Sequence, residues 1–445
     1  MNRLLICFSL LGCLSLKSCN LNDAIMYETK QLTFDPSGHT LHHQGVFSRD
    51  GKYLTFDGRN DETHIGRTGS ISLLDLSSGT QKNIYSTANQ TLYGPGVGAV
   101  SFHPTDNKVI FIHGLVHANA EKPYDITRRT GMIMPIDSTL SAQFADIRDI
   151  QFPYTPGSLR GGTHSHAWDP SGDMLSFTYN DEFVEPQLRM VGVMFPIEDP
   201  IYIDKQGDNV LGNYYSAIVS EVVANPKPGS DEISKAFDEC WLPIPSTANH
   251  KDFSGIIAFQ GNTLNEAGQV ITEIFTVEID KDKILDDSIA VGILGERPHV
   301  PRGIKQQRLS RSTKGISDFR HWLRASHDGQ YIYALGKDET NRNQLIQCEV
   351  SSGELSYISD FNFSIQSPIN LDVSSSWITF TANKQVYIYH ISKKELIQVS
   401  NHSNNELPLI GVPSFSPDGR SLVYNQLVKQ DSGIFIQIKQ INLEQ

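Results

Sequence analysis

The sequence predicts an all-β fold, a seven-bladed β-propeller closed by its N-terminal strand, and three observations predict it. A unit of short apolar strand, turn containing Asp, Gly or Ser, and second apolar strand recurs seven times along the 445 residues. Its strands are rich in Val, Ile, Phe, Tyr and Thr, the residue types that fit a pleated, half-buried surface. The last copy stops after its third strand, while an orphan strand stands at the other end of the chain. Sheet repeats of this period, each of about four strands, arrange radially as blades.

The copies run in order. "GVFSRDGKYLTFDG" starts at Gly45, "VSFHPTDNKVIFIHG" at Val100 and "HAWDPSGDMLSFTYND" at His166, each followed by a further apolar strand. A degenerate copy runs through "FSGIIAFQG" from Phe253. Then come "LRASHDGQYIYALG", "LDVSSSWITFTAN" and "PSFSPDGRSLVYN". The segment "YETKQLTF", Tyr27–Phe34, supplies the strand that the last copy lacks, pairing near Lys439 to Leu443 and removing an exposed edge. The only good helical segment is "DEISKAFDECW", Asp231 to Trp241, inside an insertion.

Ahead of the repeats, Arg3 and an apolar run from Leu4 to Leu16 read as a secretory signal, too short to span a bilayer. "LKSC" resembles a bacterial lipobox with Cys19 as the lipidated residue. The expected organisation is therefore a signal peptide at 1–18, a short tether at 19–26 and the propeller at 27–445. The expected location is the cell envelope, with the membrane met only through the lipid. Cys7 and Cys13 leave with the signal, so Cys240 and Cys348 alone remain in the body. The net charge of -13 argues against a nucleic-acid surface, which needs a basic stripe. No GxxxxGK[ST] loop, GxSxG elbow or HExxH motif occurs.

The segment entering the innermost strand of a blade lies at the channel mouth. Aligned on the turn glycine, His43 precedes Gly51 by eight residues, His164 precedes Gly172 by eight and His321 precedes Gly329 by eight. Gly98, Ser367 and Gly411 fill the corresponding positions elsewhere. Three imidazoles aimed at one axis suit a divalent transition metal, with His43, His164 and His321 as ligands. His42 and His166 are their neighbours, as further ligands or as a base. Arg160 and Arg320 flank the same segments and favour a carboxylate or phosphate. His113, Arg128, Arg129, Asp318 and Trp322 are weaker candidates, Trp322 as a stacking platform for a sugar ring.

The stretches "TPGSLRGGTHSHAW", "VIFIHG", "RRTG", "PGSDEI", "PRGIKQQRLS" and "RHWLR" together resemble the YidR-like family of bacterial proteins, a group of unassigned function. The resemblance spans roughly Gln31 to Tyr424. "FSPDGRSLVYN" is similar to the repeat of TolB-type propellers. More distantly, "HSHAWDPSG" resembles the paired-histidine segment of oligogalacturonate lyases, seven-bladed propellers that hold manganese at the channel. The glutamine ligand of those enzymes has no counterpart at the matching place. The resemblance implies a metal, Mn2+ among the options. It also implies a lyase acting by β-elimination on uronate-containing oligosaccharides, with His166 or His42 as base and Arg160 or Arg320 on the carboxylate. The alternative is a non-catalytic propeller whose channel face binds a peptide, glycan or envelope protein.

Overall fold

The computed structural model describes residues 27–444, apart from 62, 137–140, 198, 200, 205 and 245–253. Seven blades stand in a ring, six of them four-stranded. Blade 1 comprises Tyr53–Asp57, Ser70–Asp75 and Gln81–Ser86; its innermost segment is an irregular stretch held by bridges from Thr40 to Asp57 and Phe47 to Leu54. Blade 2 begins at Val97–Phe102, blade 3 at Gly162–Trp168, blade 4 at Lys235–Leu242, blade 5 at Arg324–Ala325 and blade 6 at Asn370–Leu371. Blade 7 runs Leu409–Phe415, Ser421–Gln430 and Gly433–Asn442, and Thr29–Gln31 completes it, with Thr29 opposite Ile441 and Gln31 opposite Lys439. The expected closure is thus the observed one. The signal peptide, the tether and Cys19 lie outside the described residues.

The recurring Ser-x-Asp-Gly turns explain why the repeats read so clearly. Ser48, Ser326 and Ser416 each donate a side-chain hydrogen bond to the Asp two residues on. Each also accepts the N–H that opens the next strand, from Tyr53, Tyr331 and Ser421. Gly51, Gly329 and Gly419 follow at φ of 69°, 70° and 72°, a region that L side chains enter at a cost. The second strand of each blade is sandwiched between neighbouring blades, so both its faces are covered. Leu175–Asn180 is buried at all six positions, and such burial supplies the main driving force for the ring.

One segment departs from expectation. Asp231 to Trp241 is not a helix: Lys235–Leu242 is the innermost strand of blade 4, paired with Gly255–Leu264. Trp241 anchors it by donating its indole N–H to the Ala167 carbonyl of blade 3 at 2.9 Å. Strand pairing within blade 4 and packing against blade 3 outweigh the local preference of Glu, Lys and Ala for helix. The single α-helix among the described residues is Lys281–Asp286, capped by Asp280, in a later insertion. Cys240 and Cys348 are both buried and unpaired.

Candidate functional site

The innermost strands share a distortion that shapes the channel. Ladder register slips between Gly98 and Ser101, between His164 and Ala167, between Phe237 and Cys240, and between Ile410 and Ser414. A positive-φ residue sits in each slip: Ala99, Ser165, Asp238 and Gly411. Such a bulge re-aims side chains. In blades 3 and 4 the residue before the positive-φ residue and that residue itself face the channel, whereas the next one turns into the blade. Thus His164 and Ser165 line the central cavity while His166 does not, and Phe237 and Asp238 line it while Glu239 does not.

That cavity has a volume of about 1260 Å³. Arg129, Arg189, Lys235 and Arg320 line it, and none has a carboxylate within ion-pair distance among the described residues. Arg129 donates to the Tyr124 hydroxyl at 3.0 Å and Arg189 to the Asn180 side-chain oxygen at 3.3 Å. The Arg320 guanidinium lies 4.7 Å from the Trp322 ring centre. Burial and the neighbouring Arg129 draw Arg189 down to about 10. Burial and Arg189 likewise lower Lys235. The cavity's other carboxylates are already engaged, Asp318 by Lys337, Glu339 by Lys314 and Asp338 by Arg342.

Three imidazoles face this cationic space. His164 is 4% exposed and both of its ring nitrogens lack a partner. His42 and His43 each have a buried Nε2 without a partner. Their rings meet edge-on at 4.0 Å, and His43 stacks on Trp322 at 3.7 Å. Burial first, then nearby arginines, holds all three well below the usual imidazole value, so they are neutral at pH 7. Behind His43, Arg324 reaches its Nδ1 at 3.2 Å and its carbonyl at 3.0 Å. Asn370 binds that same carbonyl together with Pro413 and Ser414. This knot ties blades 1, 5, 6 and 7 and separates the cavity from a smaller one of about 580 Å³.

Several expected site residues lie elsewhere. His321 is fully buried, its Nδ1 against the Phe319 carbonyl at 2.6 Å and its Nε2 accepting the Leu335 N–H at 3.1 Å. Counting back from Gly329 fails there because only Arg324–Ala325 pairs as a strand, and the residues before it follow an irregular path. His43, His164 and His321 therefore do not converge. Arg160 is also outside the channel: it pairs with Asp181 at 3.3 Å, donates to the carbonyls of Val291 and Glu296, and stacks over Tyr154. His166 turns into blade 3, where its Nε2 meets Thr163 at 3.0 Å and Thr163 donates to buried Asp146 at 2.7 Å. Burial lowers His166 to about 3. His113 is bonded to Tyr85, and Arg128 to Glu182 and Asp208. Of the sequence candidates, the structure brings His42, His43, His164, Arg129, Asp318, Arg320 and Trp322 together. Arg189, Lys235 and Asp238 were missed; the last two stand on the strand that reads as a helix.

Glu239, turned into the blade beside Asp238, is pushed up to about 8 by burial, and its Oε2 has no partner. The folded state therefore keeps this proton to about pH 8, while the unfolded chain releases it near its ordinary value of 4.5. Stability is lost as pH rises through that window. A Glu239→Gln variant should match the parent in melting temperature near pH 5 and melt several degrees higher above about pH 8. Thermal melts across pH check this.

Comparison with known proteins places this geometry in context. The family described as protein of unknown function (DUF3748) matches residues 96–209. The uncharacterized protein YidR of Escherichia coli (strain K12) is 32% identical over 411 residues, 89% of this chain and 94% of its own. An oligogalacturonate lyase in complex with manganese superposes with a TM-score of 0.57 at 12% identity, over 95% of this chain and 96% of that one. An oligogalacturonate lyase from Vibrio parahaemolyticus gives 0.55 at 11% identity, over 95% and 98%. At such identities the likeness is one of fold. A manganese site does not follow from it. Among the described residues no group of three His, Cys, Asp or Glu side chains is placed to hold a metal ion, and the bare imidazole nitrogens share their cavity with four cations that have no carboxylate partner there.

Proposed function

The chain belongs to the YidR family, and from that premise we propose that its channel binds uronate-bearing oligosaccharides and cleaves them by β-elimination. One observation carries this reading: four cations without carboxylate partners among the described residues face the same cavity as a neutral imidazole, His164, whose two ring nitrogens are unmet there. Guanidinium groups match a carboxylate in shape and charge. The volume exceeds the roughly 300–1,000 Å³ of ordinary small-ligand sites, which leaves room for several sugar rings. Trp322 offers an aromatic face for one of them.

In the proposed reaction Arg129, Arg189 and Arg320 neutralise a uronate carboxylate and acidify the C–H beside it. His164 accepts that proton. The released electron pair forms a carbon–carbon double bond, the bond to the glycosidic oxygen breaks, and solvent reprotonates the leaving oxygen. No step is routed through a metal. Calorimetric titration with oligogalacturonate tests the binding half: saturable binding that weakens with salt supports it, and no binding in low salt contradicts it.

The alternative is a non-catalytic propeller whose channel face binds a peptide, glycan or envelope protein without cleaving it. Binding without an unsaturated product would select it.

We also propose that Cys19 is lipidated and holds the propeller at the cell envelope. A Cys19→Ser variant should move from the membrane to the soluble fraction, since stable anchoring needs the acyl chains. Unchanged membrane fractionation would refute the lipobox.

A further inference from the structure

Asp238 stands apart from every other group in the cavity. It is the one lining carboxylate that has no ion-pair partner among the described residues, and it is 3% exposed with Oδ2 unmet by any donor. Burial pushes its carboxyl above the usual carboxylate range, and Arg320, Arg189, Lys235 and Arg324 oppose that by favouring the charged form. At the equivalent bulge, three other blades carry Ala99, Ser165 and Gly411. A small residue therefore suffices for the backbone, and φ of 50° at Asp238 is adopted by Ala99 at 55°. Blade 4 alone among these four puts a carboxylate there.

A buried carboxylate among cations works against a site that only collects negative charge. It partly cancels the attraction of the arginines and repels an incoming anion. It is favourable when the ligand also donates hydrogen bonds, because an ionised carboxylate accepts several and gains most from donors in a water-poor cavity. Sugar acids have both features, a carboxylate for the guanidinium groups and hydroxyls to donate.

We propose that Asp238 is a specificity determinant that accepts hydrogen bonds from ligand hydroxyls and so selects hydroxylated sugar acids over bare polycarboxylates. This rests on the uronate reading of the channel.

Two probes of equal carboxylate number separate the effects: trigalacturonate, which has hydroxyls, and tricarballylate, which has none. Calorimetric titrations in a His164→Ala background keep the sugar intact. Asp238→Ala should weaken trigalacturonate by at least about tenfold, from the lost hydrogen bonds, and strengthen tricarballylate, from the lost repulsion. Asp238→Asn should also strengthen tricarballylate while retaining part of the sugar affinity, since its amide oxygen still accepts. Both substitutions suit the backbone, and matching melting curves verify the fold. If Asp238→Ala moves both ligands in the same direction, the selective role is wrong while the uronate channel stands. If neither probe binds before Asp238 is changed, the channel reading falls and this inference with it.

Discussion

Replacing His164 with alanine should abolish turnover of oligogalacturonate, by about 10²- to 10⁴-fold, the usual contribution of a positioned base, and leave the melting temperature almost unchanged. The two halves have separate causes. His164 lines the cavity with both ring nitrogens bare, so it is free to accept a proton. Its side chain makes no hydrogen bond among the described residues, so removing it breaks none and relieves a buried polar group of its desolvation. Activity assays beside thermal melts check the pair. Wild-type turnover in the variant would remove His164 from the mechanism, and a large loss of stability would make it a structural residue.

Replacing Arg160 with methionine should do the reverse. Arg160 is 1% exposed and joins three loops: it pairs with Asp181, donates to Val291 and Glu296 carbonyls, and covers Tyr154. Removing one partner of a buried pair typically costs about 3–5 kcal/mol. A fall in melting temperature well beyond that of surface variants is therefore expected, with ligand affinity little changed in the protein that remains folded. Arg320→Ala is the counterpart, because that side chain is exposed in the cavity and unpaired; it should weaken binding with little effect on stability. If Arg160→Met melts normally yet loses ligand, the assignment of the two arginines is inverted.

The contrast between these two arginines shows what the chain discloses of itself. Blade number and closure are legible because three of the turns repeat one local device: a serine and an aspartate lock the strands, with glycine at the left-handed position. The missing fourth strand at one end and Thr29–Gln31 at the other make the ring readable too. The site is legible only in part. Counting from the turn locates His164 because its blade is regular up to the bulge. The same count misplaces His321, whose segment pairs only at Arg324 and Ala325. A bulge inverts the faces of neighbours, so His164 and His166 part company, and no composition rule reveals that. Lys235 and Asp238 were hidden for another reason: Glu, Lys and Ala around them favour a helix, and the pairing that overrides it is with the next strand of the blade, Gly255–Leu264. Arg189 enters from the third strand of blade 3, remote from any histidine motif.

The central claim is that a cationic channel with a neutral imidazole performs β-elimination on a uronate chain. Incubating the purified full-length chain with oligogalacturonate, and following the ultraviolet absorbance of the unsaturated sugar end, tests it most directly. A rise in absorbance that saturates with substrate and disappears in His164→Ala is expected. Saturable binding of the sugar with no rise in absorbance would contradict it.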